Sequence, residues 1–211
     1  MRRHHLLLLP LLLAALAAAS QADPDPTASA AAPVSPAAAA LFVRRSCRAT
    51  RYPRVCESTL LPCAPAVGRS PRRLARAALL VGADRAGNCS AYLRAGLREG
   101  GAAPPASSPG SSRGGGAMRD CRELVGDAAE RLRQSAAEME RMGRAGSPRF
   151  AWCLSNVQTW ASAALTDAST CLDSLAAGKD DAAKRRVLAV AQATSNALAL
   201  VNKLDPAPHR L

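Results

Sequence analysis

The chain has 211 residues, with 28 Lys and Arg against 16 Asp and Glu, a formal net charge of +12, and three histidines. His4 and His5 fall in an N-terminal signal and His209 in a tail behind Pro206 and Pro208. The folded part therefore has no imidazole for a Ser/His/Asp or Cys/His nucleophile or for a histidine-containing zinc site, so no catalytic residue, cofactor or metal is expected. The few aromatics do not interleave with the Arg clusters as a base-stacking platform requires, which argues against nucleic acid.

Residues 1–22 open MRRHHLLLLPLLLAALAAAS, a basic start followed by an apolar run and small residues, and read as a secretory signal peptide. No later stretch approaches the roughly twenty apolar residues of a bilayer helix, so a secreted protein with no membrane attachment is expected, in a compartment where disulfides persist. About 190 residues then remain, enough for one domain and a tail. Their basic excess points to a polyanion or an acidic partner surface.

Residues 23–40, rich in Ala, Pro, Ser and Thr, read as a disordered leader. The domain itself is expected over 41–205. Residues 41–63 read as a helical hairpin of two short helices broken at Tyr52 and Pro53, because proline lacks an amide donor and turns the residue before it away from helix. A bridge between Cys47 and Cys56 would hold the two pieces together. The bundle proper is expected over 70–205. Ser70 and Pro71 supply a cap and a first-turn proline for a helix running to about Arg98, with an apolar line of Leu74, Ala78 and Val81 that blurs after Gly82. Within this helix Asn88, Cys89 and Ser90 form an N-glycosylation sequon. Residues 99–116, EGGAAPPASSPGSSRGGG, read as a flexible loop.

The next helix, 117–142, has a seam of Met118, Cys121, Val125, Ala128, Leu132, Ser135, Met139 and Met142 in steps of three and four. After the turn at Gly143, Ser147 caps and Pro148 begins a helix over 148–176. Its seam runs through Phe150, Cys153 or Leu154, Val157, Trp160 or Ala161, Ala164, Ala168, Cys171 and Leu175. The last helix begins at Asp180 or Asp181, where a carboxylate suits the positive helix end, and carries Val187, Ala191, Thr194, Leu198, Val201 and Leu204. Residues 206–211 are a tail. These elements predict an all-α fold, an antiparallel up-and-down four-helix bundle preceded by an N-terminal α-helical hairpin. If the helices either side of position 145 fold back on each other, Cys121 and Cys171 stand level on the inward seam, and a disulfide is expected there. Cys63, Cys89 and Cys153 are left over: two of them pair, or all three stay thiols.

CRATRYPRVC (Cys47 to Cys56), DCRELVGDAAERL (Asp120 to Leu132) and WCLSNVQTWASAALTDASTCLDSL (Trp152 to Leu175) resemble the plant invertase and pectin methylesterase inhibitors, over residues 41–205. Members of that family are four-helix bundles with an N-terminal hairpin and two disulfides. The resemblance implies a secreted protein of the apoplast or cell wall that inhibits pectin methylesterase in a reversible one-to-one complex, with a helix face lying across the enzyme's cleft. The polar face of 148–176 suits that use, since short hydroxyls and amides give directed hydrogen bonds at low entropic cost. The expected contact set is Asn156, Gln158, Thr159, Ser162, Thr166, Asp167, Thr170 and Asp173. Burial of Asp167 and Asp173 in the complex would make affinity depend on pH.

Two alternatives are kept open. The related invertase inhibitors carry a Pro-Lys-Phe element before this helix, and Pro148, Arg149 and Phe150 occupy its place, with a planar guanidinium where the ammonium would be. A partner of another class is de-esterified pectin itself, bound by the crowded arginines of the hairpin and the next helix start. An esterase catalytic domain is not expected, since the chain stops just after the bundle.

Overall fold

The structure is a computed structural model and describes residues 34–101, 111–176, 178 and 180–205. The expected signal, the first part of the leader, the middle of the 99–116 loop and the tail lie outside the described residues. Helix α1, Pro36–Cys47, begins inside the stretch expected to be disordered. Ser35 accepts a hydrogen bond from the Ala38 amide at 3.2 Å, Pro36 fills the first turn, and Ala37 to Ala40 are the residue type that loses least on entering a helix. Low-complexity composition hid a well-capped start.

Helix α2, Pro53–Leu60, follows the break at Tyr52, and the Cys47–Cys56 disulfide closes the hairpin with its Cα atoms 5.5 Å apart. A 3-10 turn, Leu61–Cys63, leads into the short α3, Ala64–Val67. Gly68 ends it at φ 59°, donating its amide to the Ala64 carbonyl at 2.9 Å. That left-handed cap is the position glycine fills most cheaply.

The bundle is α4, Pro71–Gly101; α5, Ser111–Arg141; α6, Pro148–Leu175; and α7, Asp181–Asn202. Each packs on the next and α7 closes back on α4, so α4 and α6 are diagonal. Both α4 and α5 reach into the expected loop, leaving only 102–110 outside the described residues. The glycines at 114 to 116 oppose helix by about 1 kcal/mol each, so the start of α5 rests on propagation from the packed turns behind it.

The α5 and α6 seams match the expected ones, with Met118 half-buried and Ala161 rather than Trp160 in the core. In α4 the buried line does not blur after Gly82. It continues through Ala83, Ala86 and Cys89, small residues whose burial permits close helix approach, to Leu93. In α7 the buried face is Val187, Val190, Ala193, Thr194, Ala197, Leu200 and Val201, while Ala191, Leu198 and Leu204 sit half-buried beside it.

Cys121 and Cys171 are bonded, fully buried, with Cα atoms 4.6 Å apart. The hairpin shares one core with the adjoining half of the bundle, and α2 packs on α4 and α7. Asn196, on α7 and only 3% exposed, secures it: its Oδ1 accepts from the Tyr52 amide at 3.0 Å and its Nδ2 donates to the Tyr52 carbonyl at 2.9 Å. A proline at 53 leaves Tyr52 outside any helix, and a buried amide side chain satisfies both of its backbone groups.

Candidate functional site

Along α6 the 3.6-residue period separates two lines. Phe150, Leu154, Val157, Ala161, Ala164, Ala168 and Cys171 face the core. Trp152, Ser155, Thr159, Ser162, Thr166, Ser169, Thr170 and Asp173 face outward and are exposed. Nearly all of the outward line is short and polar. Thr159 Oγ1 donates to the Ser155 carbonyl at 2.9 Å, Thr166 Oγ1 to Ser162 at 3.2 Å and Ser169 Oγ to Leu165 at 2.9 Å. These protons are committed one turn back, which fixes the rotamers and leaves oxygen lone pairs and threonine methyls pointing out. The ribbon is thus preordered and rich in acceptors.

Of the eight expected contact residues, Thr159, Ser162, Thr166, Thr170 and Asp173 lie on this exposed line. The other three turn sideways into the bundle. Asn156 Nδ2 donates to Glu138 Oε1 at 3.2 Å, and Asp167 accepts from Arg131 Nε at 3.0 Å, both joining α6 to α5. Gln158 Nε2 donates to Asn202 Oδ1 at 3.2 Å, joining α6 to α7. They flank the ribbon.

Trp152 lies outside the expected contact set. It is 71% exposed at the N-terminal end of the ribbon. Helical phase gives the signal: with Phe150, Leu154 and Val157 in the core, position 152 must point away, and an indole in water is an uncovered contact surface. Trp160, by contrast, is half-buried.

Glu138 anchors the flank beside Asn156. Its carboxylate is held below its usual 4.5 by the Asn156 and Cys153 hydrogen bonds and by nearby Arg141 and Arg149, against the cost of burial. Burial and that same carboxylate push the Cys153 thiol up, and burial pushes Cys89 up to about 11 although Arg186 opposes it. Cys63, Cys89 and Cys153 are all thiols, and burial shields Cys89 and Cys153 from solvent.

The expected invertase-type element opens α6, with Pro148 and Arg149 exposed and Phe150 buried. Pro148 is the first residue of α6, and Arg149 Nε donates to the Arg141 carbonyl at 2.8 Å. Phe150 is 4% exposed with the Arg72 guanidinium 5.5 Å from its ring centroid. Asn88 is exposed on α4, above buried Cys89 and Ser90. Among the described residues no His, Cys, Asp and Glu cluster is arranged to hold a metal, and no helix is long and apolar enough to cross a membrane.

Residues 41–200 match the family described as plant invertase/pectin methylesterase inhibitor. The chain is 38% identical over 181 residues to the 21 kDa protein of Daucus carota, covering 81% of this chain and 87% of that one. It is 39% identical over 169 residues to Pectinesterase inhibitor 9 of Arabidopsis thaliana, covering 77% and 79%. Among solved structures, a mutant form of a pectin methylesterase inhibitor from Arabidopsis superposes with a TM-score of 0.58 at 20% identity, over 75% of this chain and 94% of that one, and shares the fold.

Proposed function

The chain belongs to the plant invertase/pectin methylesterase inhibitor family, and on that premise we propose that it is a secreted, non-catalytic inhibitor of pectin methylesterase whose α6 ribbon covers the enzyme's cleft in a reversible one-to-one complex. The observation that carries this reading is the continuous exposed line from Trp152 to Asp173, preordered by its own backbone hydrogen bonds. A face with fixed rotamers loses little entropy on docking, and a tryptophan at its end supplies the buried area that such interfaces concentrate in a few residues. The relatives named as pectinesterase inhibitors support the choice of target.

The invertase reading is weaker here, because Phe150 is buried and Arg149 is bound to the Arg141 carbonyl. A glycan on Asn88 would leave the proposed interface open, since α4 is the helix diagonal to α6. The test is a paired inhibition assay of the oxidised protein against plant pectin methylesterase and acid invertase. Inhibition of the esterase alone is expected. Inhibition of invertase alone would overturn the assignment.

A further inference from the structure

A second exposed face lies at the opposite end of the sequence from the α6 ribbon. Residues 34–73 contain eight arginines and one acid, Glu57. On α1 and its C-cap, Leu41, Arg44, Arg45 and the capping Arg48 fall at i, i+3, i+4 and i+7, a single outward stripe, and all four are exposed. Leu41 is 65% exposed. Beside the stripe is an open cleft of about 240 Å³ lined by Ala38, Leu41, Phe42, Arg45 and, from across the α3–α4 turn, Arg69. Among the described residues none of Arg44, Arg45, Arg48 and Arg69 is in a salt bridge. Arg72 and Arg76, by contrast, are occupied, by the Met142 and Gly143 carbonyls and by Glu140.

We propose that this face of α1, with Arg69 across the cleft, binds the carboxylates of a linear polyuronate, the de-esterified form of pectin. The choice of polymer rests on the esterase reading above; the site does not. Like charges gathered without counter-charges repel one another, and a polyanion removes that repulsion. A guanidinium accepts a carboxylate through two parallel hydrogen bonds, a geometry a methyl ester cannot offer at full charge. Leu41 and Phe42 give the cleft an apolar floor for the C–H face of a sugar ring. An anionic membrane suits the face less, because Leu41 is the only large, strongly exposed apolar side chain on the stripe. Since α1 packs on α2 and α3 and not within the four-helix ring, polymer and enzyme would be held by different helices.

The test compares the full secreted chain with two triple variants that lose the same charge. One is Arg44→Gln, Arg45→Gln, Arg48→Gln. The other is Arg94→Gln, Arg119→Gln, Arg185→Gln, exposed positions toward the far end of the bundle, with Arg94 roughly 30 Å along α4 from Arg73. Binding to polygalacturonate, to fully methyl-esterified pectin and to phosphatidylserine vesicles is measured at low salt, and melting temperatures confirm folding. The α1 variant is expected to lose about tenfold or more in affinity for polygalacturonate and the far-end variant less than about threefold, with esterified pectin and vesicles binding about tenfold more weakly than polygalacturonate. Equal losses in the two variants would mean that net charge alone is at work and overturn the proposal, as would tight binding to esterified pectin or preferential binding to vesicles. Esterase inhibition is assayed on the same proteins. Polymer binding without inhibition would sink the esterase reading and leave the site; inhibition without polymer binding would do the reverse.

Discussion

Single side chains in this bundle carry opposite lessons about buried polarity. Thr194 is fully buried, and among the described residues its hydroxyl has no hydrogen-bond partner. An unmade buried hydrogen bond costs about 1–3 kcal/mol, so Thr194→Val should stabilise the protein by about 1 kcal/mol and raise its melting temperature by about 2–4 °C. A lower melting temperature would show that the hydroxyl is satisfied. Glu138 is the contrary case, a carboxylate that Asn156 and Cys153 hold in its ionised form. Its folded-state pKa is depressed, so its contribution to stability is present above the unfolded value near 4.5 and is lost as pH falls through the folded value. Melting temperature should therefore fall more steeply in the wild type than in Glu138→Gln as pH drops below about 4.5. Parallel curves would mean that the carboxylate contributes nothing specific.

At the scale of elements, the two disulfides differ in what they restrain. Cys121–Cys171 closes a loop of 50 residues and Cys47–Cys56 one of 9. In the chain-entropy account these are worth about 4 and about 2.5 kcal/mol, so the Cys121→Ala, Cys171→Ala pair should lower stability the more in urea titrations. The reverse order would place the stabilisation in hairpin packing. Both bridges were legible in the sequence for a geometric reason: Cys47 and Cys56 flank the break at Tyr52 and Pro53, and Cys121 and Cys171 are nearly equidistant from a short turn and lie on inward seams. The α5 and α6 seams were equally legible because Leu, Val, Met and Phe mark them. The continuation of α4 and the phase of α7 were not, since alanine and glycine pack in a core or sit on a surface with the same local pattern. The start of α1 was masked by an Ala/Pro composition that also describes linkers. On the outward face of α6, helical phase sufficed to place Thr159, Ser162, Thr166, Thr170 and Asp173 in solvent. It did not distinguish Asn156, Gln158 and Asp167, whose partners Glu138, Asn202 and Arg131 come from neighbouring helices. The outward direction of Trp152 also follows from phase. Trp152→Ala should weaken esterase inhibition by about tenfold or more with no loss of melting temperature, because the indole is exposed in the free protein. An unchanged inhibition constant would remove it from the interface.

For the molecule as a whole, the hairpin, the ribbon and the diagonal α4 present three different surfaces. The hairpin is fastened to its own bundle by Asn196 and by Lys203, whose ammonium donates to the Ser46 carbonyl at 3.0 Å, and it presents the arginines. The α6 face presents hydroxyl oxygens and one indole, and α4 offers Asn88 on the diagonal helix. A rigid scaffold with its contact face on a helix differs from one that binds through loops, in that a change at one ribbon position should act by steric exclusion and leave the fold intact. The most direct measurement is calorimetric titration of pectin methylesterase with the wild-type protein and with Thr159→Arg, Thr166→Arg. A one-to-one complex is expected for the wild type and an affinity about a hundredfold lower for the double variant, at equal melting temperature. Undiminished affinity of the double variant would contradict this expectation, and would place the enzyme-binding surface elsewhere on the bundle.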